Sequence, residues 1–183
     1  SSTSRGLGDV YKRQVKGTAT DISAENWQGE VYAASNKVSI NGFFEPNTKY
    51  VYQYTDNYSD NGDTIWSDEY TYTTHATDTF SVILTGDPQI GASGSKSDKE
   101  ANDMSVAQDA YNWNKTMQKA MEIDPDASFL LSAGDQINES NAGSEEKKKT
   151  RESEYAGYLY PSVFRSLPIA ATIGNHDKDG SDY

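Results

Sequence analysis

Three short apolar runs, each closed by glycine and then a carboxylate or carboxamide, constrain this chain most. Phe129-Leu130-Leu131-Ser132-Ala133 runs into Gly134-Asp135. Upstream, Phe80-Ser81-Val82-Ile83-Leu84-Thr85 runs into Gly86-Asp87-Pro88-Gln89, and downstream Pro168-Ile169-Ala170-Ala171-Thr172-Ile173 runs into Gly174-Asn175-His176-Asp177. An apolar run of this length bounded by turn residues predicts a strand buried in a parallel sheet. The intervening segments are long enough for crossover helices, so the pattern reads βαβαβ. In such sheets ligands sit in the crevice outside the carboxyl ends of the strands. One Gly-Asp pair carries little by itself, because the chain has four, at Gly8, Gly62, Gly86 and Gly134. Asp60-Asn61-Gly62-Asp63, for example, reads as an ordinary hairpin turn, since Asn-Gly accepts positive φ at low cost. Recurrence at three successive strand ends is what singles out Asp87, Asp135, Asn175 and His176. Oxygen and imidazole donors gathered on one edge suit hard or borderline divalent metals.

The connections support this layout. Val106, Ala110, Trp113, Met117, Ala120 and Met121 recur at three- and four-residue spacing and predict a helix from about 103 to 122 packed on the sheet. Asp124-Pro125-Asp126 stops it. The stretch 91–102, rich in Gly, Ser, Lys and Asp, has no apolar period and reads as linker. Glu145-Glu146-Lys147-Lys148-Lys149 opens a second helix with acids ahead of bases, as the helix dipole favours, and reads as a solvated face. Tyr158, Leu159, Val163, Phe164 and Leu167 are expected to face the sheet, with Pro161 breaking the helix.

Residues 15–78 have another texture: short alternating runs rich in Thr, Tyr, Val and Asn, the mark of an all-β region. Val31–Ala34 and Lys37–Ile40 are candidate strands. Tyr50, Tyr52 and Tyr54 share one strand face because side chains alternate, and Trp66 to Thr74 forms the last strand. His75 is expected to be an exposed bystander. Residues 1–14 lack periodicity and read as a disordered or artefactual leader, set aside from fold reasoning.

Charge and composition exclude several classes. Acidic residues (28) outnumber basic ones (16), a formal charge of −12, which repels nucleic-acid backbones and anionic membranes. The absence of cysteine rules out disulfides and thiolate metal sites. No apolar run approaches the ~20 residues needed to span a bilayer.

Asp87-x-Gln89, Gly134-Asp135 and Gly174-Asn175-His176-Asp177 together resemble the first three motifs of the calcineurin-like metallophosphoesterases, the family that includes purple acid phosphatases. The Pro46-x-Thr48-x-Tyr50 spacing resembles the approach to the tyrosine-corner strand of a fibronectin type III-like sandwich. On that likeness the Tyr50 hydroxyl bonds back to upstream backbone. The resemblance implies an N-terminal all-β sandwich over 15–78, truncated at its start, followed over 79–183 by the first half of an α/β metallophosphoesterase domain.

It further implies two divalent metal ions (iron, manganese or zinc), a phosphate ester substrate and an extracytoplasmic or cell-surface location. Asp135 would bridge the two ions, Asp87 would bind the first and Asn175 would offer its amide oxygen to the second. Gln89 stands where the family usually has a histidine ligand. His176 would face the phosphate, stabilising the transition state or protonating the leaving group, and Asp177 would hold the ring's other nitrogen. Asn138 stands where purple acid phosphatases carry the tyrosine of their coloured iron centre, so that colour is not expected. The family's later motifs, a lone His and a Gly-His-x-His, would lie beyond Tyr183, so the chain reads as a fragment of little or no turnover and marginal stability. The alternative, which Gln89 favours, is a non-catalytic surface binding module with a degenerate phosphoesterase-like domain. Oligomeric state is open.

Overall fold

The structure, a computed structural model, describes residues 18–21, 34–37, 44–55, 63–94 and 99–178. The chain divides into two compact units, Ser1–Phe43 and Phe44–Tyr183. In the first, β1 (Thr18–Asp21) pairs antiparallel with β2 (Ala34–Lys37). The strands expected at 31–34 and 37–40 lie outside the described residues except at Ala34 and Lys37, both of which belong to β2.

The second unit opens with an antiparallel pair, β3 (Lys49–Tyr52) and β4 (Tyr70–Thr73). Its register sets Tyr50 opposite Tyr72 and Tyr52 opposite Tyr70, so the tyrosines meet on one face, with Phe44 edge-on to Tyr50 at 4.8 Å. The Tyr50 hydroxyl accepts the Glu45 N–H at 2.7 Å, the upstream bond expected of it. By contact this pair belongs to the second compact unit, Phe44–Tyr183. Two long-range contacts tie it there. The Tyr52 hydroxyl donates to the Arg165 carbonyl at 2.6 Å, and the Arg165 guanidinium lies 5.5 Å from the Tyr70 ring centre.

Strands β5 (Val82–Thr85), β6 (Phe129–Ser132) and β7 (Ile169–Ala171) form a parallel sheet in the order β5-β6-β7. Helix α1 (Lys99–Ile123) connects the first two strands; α2 (Glu145–Tyr158) and a 3₁₀ turn (Ser162–Arg165) connect the last two. Helix α2 starts where the Ser144 hydroxyl accepts the Lys147 N–H at 3.3 Å, with Glu145 and Glu146 in its first turn, a cap plus favourable charge at the dipole's positive end. Leu159, expected to face the sheet, is exposed at the C-terminal cap of α2. Among the described residues no helix is long and apolar enough to cross a membrane.

One core forms between the sheet and the helices. Leu130, Met117, Leu167 and Ile90 are almost wholly buried with Val106, Trp113 and Tyr158, and Ile83 and Ile169 pack against them. The Trp113 indole N–H donates to the Tyr158 carbonyl at 2.9 Å, fixing α1 against the end of α2. Below the sheet, His75 is partly buried, not the exposed residue expected, and lines an apolar groove with Phe80, Phe129 and Ile169.

The other sheet face is bare among the described residues. Leu84 is 68% exposed, and Phe80, Val82 and Ala170 are exposed beside it. Parallel sheets are ordinarily covered on both faces, and a contiguous apolar patch invites association. The chain is therefore expected to bind a hydrophobic dye and to scatter light with rising concentration. Leu84→Lys should reduce both signals while leaving the unfolding midpoint nearly unchanged, since this side chain lies outside the core.

Candidate functional site at the carboxyl edge of the parallel sheet

Register determines what meets here. Thr85 lies opposite Ser132, and Ser132 opposite Ala171, so the three strands end at one level. Adjacent strands are about 4.8 Å apart, which places the three exits within ~10 Å of one another. Asp87 follows β5, Asp135 follows β6 and Asn175-His176 follows β7, all on the same edge. The first two exit loops then run side by side. Gln89 N–H donates to Asp135 O at 2.9 Å, Ile90 N–H to Gln136 O at 3.1 Å and Asn138 N–H to Ile90 O at 3.1 Å. A parallel bridge joins Ile90 to Ile137, and both side chains are buried.

The backbone is strained where the site residues sit. Asp87 (φ 51°), Gln89 (φ 35°) and Asp135 (φ 49°) all adopt the left-handed region, leaving only Asn47 (φ 52°) as a positive-φ non-glycine residue elsewhere among the described residues. Each such residue costs on the order of 1 kcal/mol or more and persists only where its surroundings enforce it, commonly at sites of function.

Asp135 is 8% exposed, and its Oδ1 accepts the His176 N–H at 2.9 Å. Its Oδ2, and the side chains of Asp87, Gln89 and Asn175, have no hydrogen-bond partner among the described residues. That leaves the Asp87 carboxylate, one oxygen of Asp135 and two side-chain amides uncommitted on one rim. Among the described residues no three His, Asp or Glu side chains form a cluster suited to a metal ion. The donor chemistry of the rim, two carboxylates with two carboxamides, still fits a hard divalent cation. Asp135, Asp87, Asn175 and Gln89 are the residues that would hold it.

His176 is held from one side. Its Nδ1 lies 2.5 Å from the Asn138 carbonyl oxygen. A carbonyl only accepts, so Nδ1 carries the proton, and Nε2 has no partner among the described residues. The hold on the ring expected of Asp177 falls to the Asn138 carbonyl. Asp177 is wholly buried. Its Oδ1 accepts from Gln136 N–H at 3.1 Å and the Tyr155 hydroxyl at 3.4 Å, and its Oδ2 accepts from Gly174 N–H at 2.8 Å. It joins the second and third exit loops. Burial, together with the negative charge of Asp177, pushes the Tyr158 hydroxyl above its ordinary pKa.

Three residues important to the site were not singled out from sequence: Arg151, Glu154 and Gln136, all buried. Gln136 donates from Nε2 to Ser132 Oγ at 3.2 Å and to Thr172 O at 3.0 Å, holding β6 and β7 together at their exit. The signal for Arg151 was present in helical spacing. Arg151, Tyr155 and Tyr158 fall at i, i+4 and i+7, one face of α2, and Tyr158 is a core residue.

No protein-family model, curated protein or solved structure matches this chain.

Proposed function

We propose that the chain carries part of a metal-dependent phosphoesterase site, completed by further ligands in a longer protein. The observation that supports this most is the parallel order β5-β6-β7, which brings Asp87, Asp135 and Asn175-His176 to one edge. Two divalent ions bound there would activate water and neutralise the phosphate oxygens. The residues of the chain would do the rest. Asp135, strained and mostly buried, presents one carboxylate oxygen while the other fixes the His176 backbone. His176, with Nδ1 occupied, would act through Nε2: when doubly protonated it can donate a hydrogen bond to the phosphate or give the Nε2 proton to the leaving oxygen. A second reading, a binding module without turnover, draws on Gln89, a neutral oxygen donor where an imidazole would bind more strongly.

Two measurements test this. Mn²⁺ titrated into the 183-residue chain and followed by electron paramagnetic resonance should show saturable binding that Asp135→Asn removes; its absence in the unaltered chain would end the proposal. Joined to its downstream residues, the protein should hydrolyse p-nitrophenyl phosphate or the bis ester only with metal, and Asp135→Ala should abolish turnover. Robust binding with no hydrolysis of either ester would favour the binding module.

A further inference from the structure

We propose that Arg151 and Glu154 of α2 are positioning residues for His176: they hold the Asn138 carbonyl against Nδ1, fixing the Nδ1–H tautomer and freeing Nε2. The use made of Nε2 rests on the phosphoesterase reading; the tautomer does not.

The geometry centres on the residues around one carbonyl. Glu154 Oε2 accepts the N–H of Asn138 at 3.0 Å and of Glu139 at 2.7 Å. Arg151 Nη1 donates to the Glu139 carbonyl at 2.7 Å. Held at these points, the Asn138 carbonyl has its direction set, and that direction meets the imidazole of His176. Arg151 reaches the other partner as well: Nη1 donates to the His176 carbonyl at 2.9 Å and Nη2 to the Asp177 carbonyl at 3.1 Å. A single guanidinium thus fixes both the loop that carries the acceptor and the loop that carries the ring.

Placing these charges inside the protein is costly. Arg151 is 1% exposed and Glu154 3%, and burying a charged group is unfavourable unless it is fully hydrogen-bonded. An apolar pair in their place could not grip three carbonyls and two N–H groups. The planar fork of arginine suits several acceptors at fixed angles, which a lysine ammonium on a flexible stem does not.

The tautomer can be read directly by long-range ¹H–¹⁵N correlation of the histidine rings in the ¹⁵N-labelled, metal-free chain, recorded at a pH where the rings are neutral. The chain has two histidines, and His75→Gln assigns the spectrum. In the unaltered chain His176 should show a protonated Nδ1 and an unprotonated Nε2, and the Asn138 and Glu139 amides should exchange slowly with solvent. Arg151→Lys and Glu154→Gln should swap the ring toward Nε2–H and speed exchange at the Glu139 amide, whose acceptor is Glu154; the Asn138 amide keeps the Ile90 carbonyl. An Nε2–H ring or fast-exchanging amides in the unaltered chain would overturn the proposal, as would an unchanged ring in both folded variants. If neither variant folds, the ring and amide measurements on the unaltered chain decide alone. Loss of Mn²⁺ binding with the Nδ1–H ring intact would remove the phosphoesterase reading and leave the clamp standing. Mn²⁺ binding with an Nε2–H ring would do the reverse.

Discussion

Gly174→Ala is expected to cost about 3 kcal/mol or more and to leave much of the chain unfolded at room temperature, whereas Gly86→Ala should change stability by less than ~1 kcal/mol. Both glycines follow a strand of the same sheet and precede a proposed metal ligand, so the sequence treats them alike. Their surroundings differ. A Cβ on Gly174 would run into Asp135, meeting its carboxylate oxygen and backbone nitrogen well inside van der Waals contact. Gly134 faces it from the other loop at φ +96°, where a Cβ would come within 2.7 Å of the Gly174 Cα and N. The two glycines pack back to back, and that close approach allows the Asp135 carboxylate to accept the His176 N–H. A Cβ on Gly86 would meet nothing nearer than the Ala133 Cβ at 3.8 Å, ordinary contact distance. Urea unfolding followed by circular dichroism separates the two variants, and equal midpoints would mean that the β6 and β7 exit loops are not in contact as described.

The same comparison shows what the sequence could disclose. Apolar runs closed by glycine located the three parallel strands, and three- and four-residue spacing located the stripe Val106, Ala110, Trp113 and Met117 on α1, because both are patterns local in the chain. The Tyr50 back-bond was expected only from the resemblance of Pro46-x-Thr48-x-Tyr50 to a tyrosine-corner strand, and its partner Glu45 lies five residues upstream. What was not legible depends on distant partners. Tyr52 meets Arg165 across 113 residues of chain, which attaches β3 and β4 to the second unit, and no local pattern carries that information. Arg151 and Glu154 follow closely on the charge run 145–149, which read as a solvated face, and only helical spacing aligned Arg151 with Tyr158. The left-handed backbone at Asp87 and Gln89 had no signal, because neither residue is a glycine.

Asp177 is where chemical expectation and structure part, and its replacement separates them. A carboxylate that merely oriented the His176 ring could be removed with little effect on folding. In the structure the carboxylate accepts from two backbone N–H groups, Gln136 and Gly174, in a fully buried setting. Asp177→Ala strips both donors of their acceptor, and each buried N–H left unsatisfied costs roughly 1–3 kcal/mol. The expected loss is therefore about 3 kcal/mol, visible as a lower urea midpoint with an unchanged slope. Asp177→Asn, which keeps one acceptor oxygen but turns an amide NH₂ toward a donor, should fall between Asp177→Ala and the unaltered chain. A full-strength midpoint in Asp177→Ala, accompanied by a change in the His176 ring spectrum, would return Asp177 to the role of ring partner. The opposite pattern, lost stability with His176 still protonated at Nδ1 in the folded fraction, would show that a buried acid beside a candidate catalytic histidine can serve the backbone instead of the ring.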